Sequence, residues 1–324
     1  MRDEAVSEGA APVAVRGTVV DRLYGLTTAG AAWLVLALLA GAAVSMLWGG
    51  RQAFETFGLG FITSRDWNPV ELKFGAFVPI YGTLVTSAIA LVIAIPVSIG
   101  IGLFLTDIAP RWIRGPIAIA IELLAAIPSI IYGMWGLFVF APFMGAHVEP
   151  WLNDHLGNNA IIGPLFSGPP IGIGMLTAGI VLGIMIIPFI SSVARDVFNA
   201  VPPALKEAAV ALGSTRWEIL SRVTLPYTRS AIVGAIFLGL GRALGETMAV
   251  TFVLGNAHDL SASLLMPSNS IAAAIANEFT EADTDLYRSS LIALAFLLFV
   301  VTLIVLAIAK LMLVRMDRAF GRTH

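Results

Sequence analysis

Apolar residues gather into six long stretches, separated by shorter segments rich in polar residues, glycine and proline. A helix needs roughly 20 predominantly apolar residues to span the hydrocarbon core of a bilayer. The stretches lie near residues 27–48, 78–105, 116–141, 171–193, 228–256 and 287–313. The pattern predicts an all-α, polytopic membrane protein with six transmembrane helices.

The first stretch resembles the apolar part of a signal peptide, but two features favour a retained helix. Its apolar run is longer than the usual 7–15 residues or so. A polar tail also precedes it. We therefore expect an N-terminal tail over 1–26, the first transmembrane helix and its following loop over 27–77, a main transmembrane domain over 78–314, and a C-terminal tail over 315–324.

Composition supports the membrane interpretation and narrows the chemistry. Hydrophobic residues make up 58% of the chain and charged residues 12%, against about 25% charged in an average soluble domain. A net charge of −2 argues against nucleic acid as a partner. The chain has no cysteine, which excludes disulfides and thiolate chemistry. Its histidines are scattered, and we expect no metal site.

Lysine and arginine mark the orientation of the helices, since these residues concentrate in cytoplasmic loops. Of the 19 in the chain, fourteen fall on one side of the predicted spans, four on the other and one inside a span. The fourteen are Arg2, Arg16, Arg22, Arg111, Arg114, Arg195, Lys206, Arg216, Arg222, Arg229, Lys310, Arg315, Arg318 and Arg322. This bias predicts that both termini are cytoplasmic.

Two long loops lie on the predicted outer side. Residues 142–170 have no Lys or Arg and are rich in Gly, Pro and Asn, whereas residues 257–286 are acidic. Either these loops form a docking surface for an outside partner, or they are solvated linkers that cap the helices. Composition alone does not separate the two.

The predicted cytoplasmic segment 195–227 has local signals for two short helices. Pro203 suits a helix start, and Gly213 suits the left-handed conformation that ends a helix. Thr215 and Glu218 have the spacing of a capping box. We therefore predict a helix, a sharp glycine turn and a second helix, which Pro226 limits before the fifth span.

This segment also carries a spaced motif that resembles the EAA signature of bacterial ABC importer permeases. Its matching residues are Glu207, Ala208, Ala209, Gly213, Leu225 and Pro226. Valine stands at 223, where the signature often has isoleucine. In that family the loop is a coupling helix that sits in a cleft of an ATPase. The alternative is an ordinary amphipathic connector.

An ATP site of the P-loop type needs a lysine directly after a glycine. The three lysines are Lys73, Lys206 and Lys310, and none follows a glycine. We therefore expect no enzymatic activity and no bound cofactor in this chain, with ATP and magnesium on a partner ATPase.

The predicted fifth span contains two charges, Arg242 and Glu246. Charges inside a bilayer are costly and usually mark a substrate path or the bundle interior. Their spacing of four predicts that they share one helical face and can pair. Arginine suits an oxyanion because its planar fork donates two hydrogen bonds. They either line a substrate path or form a structural salt bridge.

Proline also occurs inside the predicted spans, at 96, 128 and 188. These residues either kink the helices and act as hinges, or are tolerated because neighbours satisfy the freed carbonyls. Glu122, in the third stretch, is expected to face an interface or to lie shallow enough to reach water.

Longer stretches resemble the permease subunits of bacterial phosphate-specific ABC transporters. The similar stretches lie at 58–70, 74–87, 120–142, 165–174, 238–256 and 261–279. Together they run from about residue 55 to the last span and leave out the N-terminal tail.

The resemblance implies a type I ABC importer permease fold in a bacterial plasma membrane. It implies a second phosphate permease subunit, an ATPase dimer, and a periplasmic or lipid-anchored protein that delivers inorganic phosphate. It also places Arg242 and Glu246 on the substrate path. Two alternatives remain: a permease for another oxyanion such as sulfate or molybdate, and a membrane component of phosphate sensing.

Overall fold

The computed structural model describes residues 19–319, with side chains up to residue 315. Residues 19–45 and residues 46–319 form two separate units. The predicted tails therefore lie largely outside the described residues. Within 19–319 the secondary structure is helical, and the β-type pairing consists of two isolated bridges.

The helices follow one another with short connections and with π-helical turns inside several of them. Their bounds are α1 Val19–Gly49, α2 Arg51–Phe57, α3 Gly60–Thr63, α4 Phe77–Leu103, α5 Arg111–Ala125, α6 Ser129–Trp135, α7 Ala141–Phe143, α8 Glu149–Leu156, α9 Met175–Asn199, α10 Pro203–Ala211, α11 Arg216–Ile219, α12 Leu225–Leu244, α13 Met248–Leu254, α14 Ile271–Glu278 and α15 Asp285–Ala319. The π-turns cover Phe104–Ile108, Gly136–Phe140, Met144–Val148 and Leu220–Thr224.

Six helical segments among the described residues are long and apolar enough to cross a bilayer. They are Val19–Gly49, Phe77–Ile108, Ser129–Leu156, Met175–Asn199, Arg216–Leu244 and Asp285–Arg315. The predicted number of spans is confirmed. Spans two, four and six lie within a few residues of their predicted places, while α1 begins at Val19, earlier than predicted.

The predicted third span, 116–141, is wrong. The chain breaks at residues 126–128, because proline has no amide hydrogen and disfavours helical backbone in the residue before it. The residues before Pro128 form α5, an amphipathic helix without a buried residue. The crossing segment begins after the break and runs to Leu156, so half of the expected loop 142–170 is helical.

The predicted fifth span, 228–256, is displaced in the same way. Pro226 does not limit the helix: it lies in the first turn of α12, directly after a π-turn, where its missing amide hydrogen leaves no unmade bond. The helical segment therefore starts at Arg216. It ends at Leu244, and a break at residues 245–247 separates it from α13.

The largest helix interface joins α4 to α9. Small residues make it close: a Cβ at Gly179 would lie 2.6 Å from the side chain of Ile89, and Gly183 faces the backbone of Ala90. The hydroxyl of Ser98 on α4 donates to the carbonyl of Ile187, directly before Pro188 (3.1 Å). Pro96 and Pro188 both lie inside continuous helices.

Three clusters of buried apolar side chains stand along this scaffold. The central cluster combines α4, α9 and α13 and includes Leu182, Ile186 and Val253. A second lies beside the start of α4, around Phe61 and Leu291. A third lies at the other end of α4, around Leu103 and Phe198. We call the side of the bundle with this third cluster the α10 end, and the side with the second cluster the opposite end.

Replacing Gly82 by alanine tests the close packing at the start of α4. A Cβ on Gly82 would collide with the backbone carbonyl of Asn269, which cannot rotate away as a side chain would. We expect Gly82→Ala to lower the free energy of unfolding by about 1–3 kcal/mol, as overpacking does. The measurement is thermal unfolding of the purified protein in detergent. Gly100→Ala, on the same helix with open space around it, should unfold at the wild-type temperature; an equal loss there would contradict this explanation.

Candidate functional site

The segment 195–227 has the predicted local structure. Helix α10 begins at Pro203, and Gly213 after it has a φ of 82°, in the left-handed region. The capping box is complete: the backbone amide of Glu218 donates to Oγ1 of Thr215 (3.3 Å), and the amide of Thr215 donates to Oε2 of Glu218 (2.9 Å). The helix, glycine turn and second helix are therefore confirmed.

Most of α10 is exposed to solvent. Glu207 and Ala208 are exposed, and Ala209 is half-buried. Exposed apolar side chains surround them, including Val210, Leu212 and Trp217, the last 70% exposed. Several exposed apolar side chains on one such segment are typical of a protein interaction site.

The remaining motif residues lie apart from this surface. Leu225 packs against the cluster around Leu103 and Phe198, and Pro226 starts α12. Their place in the structure is the connection between the exposed segment and the membrane helix, rather than the exposed face itself.

Arg242 and Glu246 do not share a helical face, so that prediction is wrong. Arg242 lies in the last turn of α12, whereas Glu246 lies in the break that follows. The break is where Gly245 ends the helix. The carboxylate of Glu246 instead accepts from the backbone amide of Ala249 in the first turn of α13 (3.3 Å). No ion pair within 4.0 Å links the two residues.

The surroundings of Arg242 are aromatic. Its guanidinium lies 5.9 Å from the ring centre of Phe189 on α9, a cation–π distance. It is also close enough to the hydroxyl of Tyr132 on α6 to act on it electrostatically. That hydroxyl donates to the carbonyl of Leu124 across the break at Pro128 (3.0 Å). Arg242 thus stands beside two broken membrane helices, a site that sequence spacing did not predict.

Two ion pairs join separate elements at the α10 end. Glu122 on α5 pairs with Arg195 on α9 (2.9 Å), which explains the carboxylate singled out in the third apolar stretch. Lys206 on α10 pairs with Asp107 at the end of α4 (2.7 Å). No local pattern indicates this second pair, because 99 residues separate its members.

At the opposite end one backbone hydrogen bond joins the two long loops, and another joins the second loop to the start of α9. The amide of Leu264 donates to the carbonyl of Leu165 (2.8 Å), and the amide of Leu176 donates to the carbonyl of Leu264 (2.7 Å). Leu265, Ser268 and Asn269 are buried as a result. These residues are not solvated linkers, although the loops also keep exposed residues.

A fully buried carboxylate helps to hold one of these loops. Glu149 on α8 accepts from the backbone amide of Gly172 through Oε2 (2.7 Å), and the hydroxyl of Thr177 also interacts with its carboxylate. Gly172 has a φ of 78° and lies against the carbonyl of Ala141, which excludes a side chain there. Nothing in the sequence pattern had marked Glu149 as buried.

A polar and aromatic cluster lies beside the start of α4, at the opposite end. The carboxylate of Glu278 accepts from Nε1 of Trp67 (2.7 Å) and from the hydroxyl of Tyr287 (2.6 Å). Nε2 of His258 lies 2.8 Å from the same carboxylate, and its ring stacks on Trp67. Burial opposes ionisation of Glu278, but these hydrogen bonds outweigh it and lower its pKa.

Comparison with known proteins gives the class. The model of the family described as "Binding-protein-dependent transport system inner membrane component" matches residues 95–318. The chain belongs to this family and is a non-catalytic, multi-pass permease subunit of an inner-membrane ABC transporter, which works with an ATPase and a substrate-binding protein. Among the described residues, no cluster of three metal-type ligands occurs.

Individual relatives of the chain have names that are more specific than the family description. The chain is 60% identical to the "Phosphate transport system permease protein PstC" of Xylella fastidiosa (strain Temecula1 / ATCC 700964), over 95% of this chain and 94% of the relative. It is 56% identical to the protein of the same name from Mesorhizobium japonicum, over 94% of each. The resemblance read from the sequence is confirmed.

A solved structure confirms the fold. The crystal structure of a bacterial ABC transporter involved in the import of the acidic polysaccharide alginate aligns with a TM-score of 0.57 at 20% identity. The alignment covers 91% of this chain and 99% of that one. The predicted ABC importer permease fold is thus correct.

The carboxylate of Glu278 should stabilise the protein in a pH-dependent way. Its folded pKa is lowered, so it contributes stability above the unfolded pKa of about 4.3, and that contribution is lost as the pH falls through the lower folded pKa. Glu278→Gln should cost about 1.5–3 kcal/mol at pH 7, the range for hydrogen bonds to a charged group. Thermal unfolding in detergent between pH 3 and pH 7 measures this: the gap to wild type should close below pH 4. The control is Glu281→Gln, an exposed neighbour; a gap that persists at low pH would contradict the assignment.

Proposed function

We propose that the chain is the permease subunit of an ATP-driven importer of inorganic phosphate. It forms part of the translocation path and couples that path to a separate ATPase. Family membership supports the importer, and the names of relatives at 60% and 56% identity support phosphate as the substrate.

The observation that supports the proposal most strongly is the environment of the Arg242 side chain. Its side chain is exposed at the end of a membrane-spanning helix, and among the described residues no carboxylate lies within 4.0 Å of it. A charge at the centre of a spanning helix costs about 2.5–3.5 kcal/mol, so an arginine near the end of one without an ion-pair partner is a candidate functional group. A planar guanidinium that is free to donate two hydrogen bonds fits phosphate.

Glu246 completes the proposed path. Its bond to the first turn of α13 keeps the carboxylate in the break beside Arg242 without neutralising the arginine. A negative charge at this distance weakens the hold of Arg242 on a bound anion, so that phosphate is passed on rather than retained.

The exposed α10 is the proposed contact for the ATPase. Glu207, Ala208 and Ala209 offer one charge and a smooth surface that another protein can approach closely. Gly213 sets the angle of the turn, while Leu225 and Pro226 connect the segment to α12.

The other subunits of the proposed transporter follow from the class of protein, an ABC importer permease. We propose a second, related phosphate permease around a shared path, a dimer of ATPase subunits that binds ATP and magnesium, and a periplasmic or lipid-anchored phosphate-binding protein. This chain holds no cofactor and binds no nucleic acid. Helix α5, which buries no residue within the chain, is available to lipid or to the second permease.

Both termini are proposed to be cytoplasmic, with the α10 end inside and the paired loops outside. The charge bias of the sequence supports this, as does the position of α10. The division into tails at 1–26 and 315–324, a first span with its loop at 27–77 and a transport domain at 78–314 is kept as part of this proposal.

Alternating access then works as follows. The loaded binding protein docks on the outer loops, ATP closes the ATPase dimer, and α10 transmits this movement to the membrane helices. The path opens outward, Arg242 meets the released phosphate, and hydrolysis returns the path to the cytoplasmic side.

Arg242 should be required for uptake. We expect Arg242→Gln to lower uptake of radiolabelled phosphate about tenfold or more, because it removes charge-assisted hydrogen bonds of about 1.5–3 kcal/mol. The measurement is made in cells that lack the gene and carry the variant, with protein level checked by immunoblot. Arg242→Lys keeps the charge without the fork and should recover only part of the rate.

Arg111→Gln, the same exchange at an exposed arginine at the start of α5, is the matched control and should transport normally. Excess unlabelled sulfate should not compete with uptake by the wild type. Competition by sulfate would redirect the proposal to another oxyanion. Normal uptake by Arg242→Gln would remove Arg242 from the path, and uptake that continues when the ATPase is inactivated would reject the importer.

Gly213 should be required for coupling because of its backbone conformation. Nothing lies within 4 Å of a Cβ at this position, so a substitution tests φ alone. Left-handed backbone costs alanine roughly 1–2 kcal/mol, a factor of about 5–30 in population. Gly213→Ala should lower ATP-dependent phosphate uptake by about that factor, whereas Gly213→Asn, which tolerates this region, should retain it. Gly234→Ala on α12 is the control; equal rates for the alanine and asparagine variants at 213 would contradict this role.

A further inference from the structure

Helix α10 is held to the bundle along one narrow face. Seven of its nine residues are exposed, and only Lys206 and Ala209, three positions apart, are partly buried. The helix connects to α9 through residues 200–202 and to α11 through residues 212–215. Helix α10 also contacts α11 and the π-turn Leu220–Thr224, so the contact of its partly buried face with α4 decides how directly its movement reaches that helix.

That contact is an ion pair with a different membrane helix. Nζ of Lys206 lies 2.7 Å from Oδ1 of Asp107, in the π-turn that ends α4. The two side chains are 24% and 29% exposed. Partial burial shields the pair from salt and holds it more firmly than a surface ion pair. Among the described residues, it is the ion pair that joins α10 to a membrane-spanning helix.

Apolar packing does not replace the pair. A cavity of about 520 Å³ lies beside it, lined by Ile108, Trp217 and Leu220 among others. The end of α4 and α10 therefore face each other across open space, and the ion pair bridges the gap.

Asp107 is attached to the most tightly packed part of the fold. Just before it, Gly102 lies against the ring of Phe198 (3.0 Å from a Cβ at the glycine). Leu103 shares a buried cluster with Phe198 and Leu220. A force applied to Asp107 therefore acts on α4 and α9 together, and α9 carries Phe189 beside Arg242.

We propose that the Asp107–Lys206 ion pair is the tie through which movement of α10 reaches α4. Both residues act as positioning residues: neither touches substrate or nucleotide. The inference rests on the proposed function, in which an ATPase moves α10, and it adds which membrane helix receives that movement and through which atoms.

The test uses the complete transporter reconstituted in proteoliposomes with its ATPase, its second permease and phosphate-loaded binding protein. The variants are Asp107→Asn, Lys206→Gln, and the exchanged pair Asp107→Lys with Lys206→Asp. The readout is phosphate transported per ATP hydrolysed. A loss of folding lowers both rates together, whereas a loss of the tie lowers transport more than hydrolysis.

We expect each single variant to lower this ratio by about fivefold or more, the lower end of typical coupling between sites. The exchanged pair should recover most of the ratio, because it restores the attraction with the charges reversed. Single variants that keep the wild-type ratio would overturn the proposal, as would an exchanged pair no better than the single variants.

Arg222→Gln is the matched control. It also removes one cation from the same segment, but Arg222 pairs with Glu218 four residues earlier (3.8 Å), not with α4. It should keep the wild-type ratio. A comparable loss there would show that any charge removed from this segment has the same effect, and the tie would be rejected.

A second readout does not depend on phosphate. The chain has no cysteine, so Val92→Cys, exposed on α4, takes a single spin label in a complex whose other subunits lack reactive cysteines. We expect ATP to change the spectrum of the label when the chain is otherwise wild type. The change should be absent when Asp107→Asn is added, and it should return when the exchanged pair is present. If ATP changes the spectrum as expected but the complex transports no phosphate, the proposed substrate is rejected and the proposal for the ion pair is retained. A spectrum that ATP does not change, or that ATP changes equally in all variants, would overturn the proposal.

Discussion

The close contact between α4 and α9 is the interaction on which the rest of the structure depends. In a bilayer, helices gain little from the hydrophobic effect between them, so association relies on packing of small residues and on hydrogen bonds. Gly179 and Gly183 provide the first, and the bond from Ser98 to the carbonyl of Ile187 provides the second. Because the interface runs the length of both helices, it fixes the end that carries α10 and the end that carries the paired loops with respect to each other.

Outside this rigid pair, the chain is interrupted at residues 126–128 and 245–247. Non-helical backbone at membrane depth survives only where its polar groups find partners or line a cavity. At the first break the hydroxyl of Tyr132 satisfies the carbonyl of Leu124, and at the second the carboxylate of Glu246 satisfies the amide of Ala249. Tyr132, which stabilises the first break, also interacts electrostatically with Arg242, and Glu246, which stabilises the second, follows Arg242 by four residues. In the proposed function, the groups that stabilise the breaks also furnish the polar path.

The sequence predicted what is local and missed what is distant. Helix α10, the turn at Gly213 and the capping box depend on signals within a few residues, and all three are present. Hydropathy found six spans but misplaced the third, because it cannot tell Pro128, which breaks a helix, from Pro96 and Pro188, which do not. Residues 126–128 leave the helix, whereas Pro96 and Pro188 lie inside the two helices that form the largest interface. The tie of Lys206 to Asp107 and the bond of Trp67 to Glu278 join residues 99 and 211 positions apart, and no pattern in one sequence encodes such pairs.

The two ends of the bundle are held in physically different ways, and this difference suits a permease. At the opposite end, Glu278 gathers side chains from three segments and the long loops share backbone hydrogen bonds. Such a network resists small displacements, because several bonds must break at once. At the α10 end, an exposed helix meets α4 through one ion pair beside a cavity. An ion pair tolerates changes of angle while it resists separation, since Coulomb attraction has no preferred direction. In the proposed function, a stiff frame at one end and an angle-tolerant link at the other let the movement of α10 turn the helices without pulling them apart.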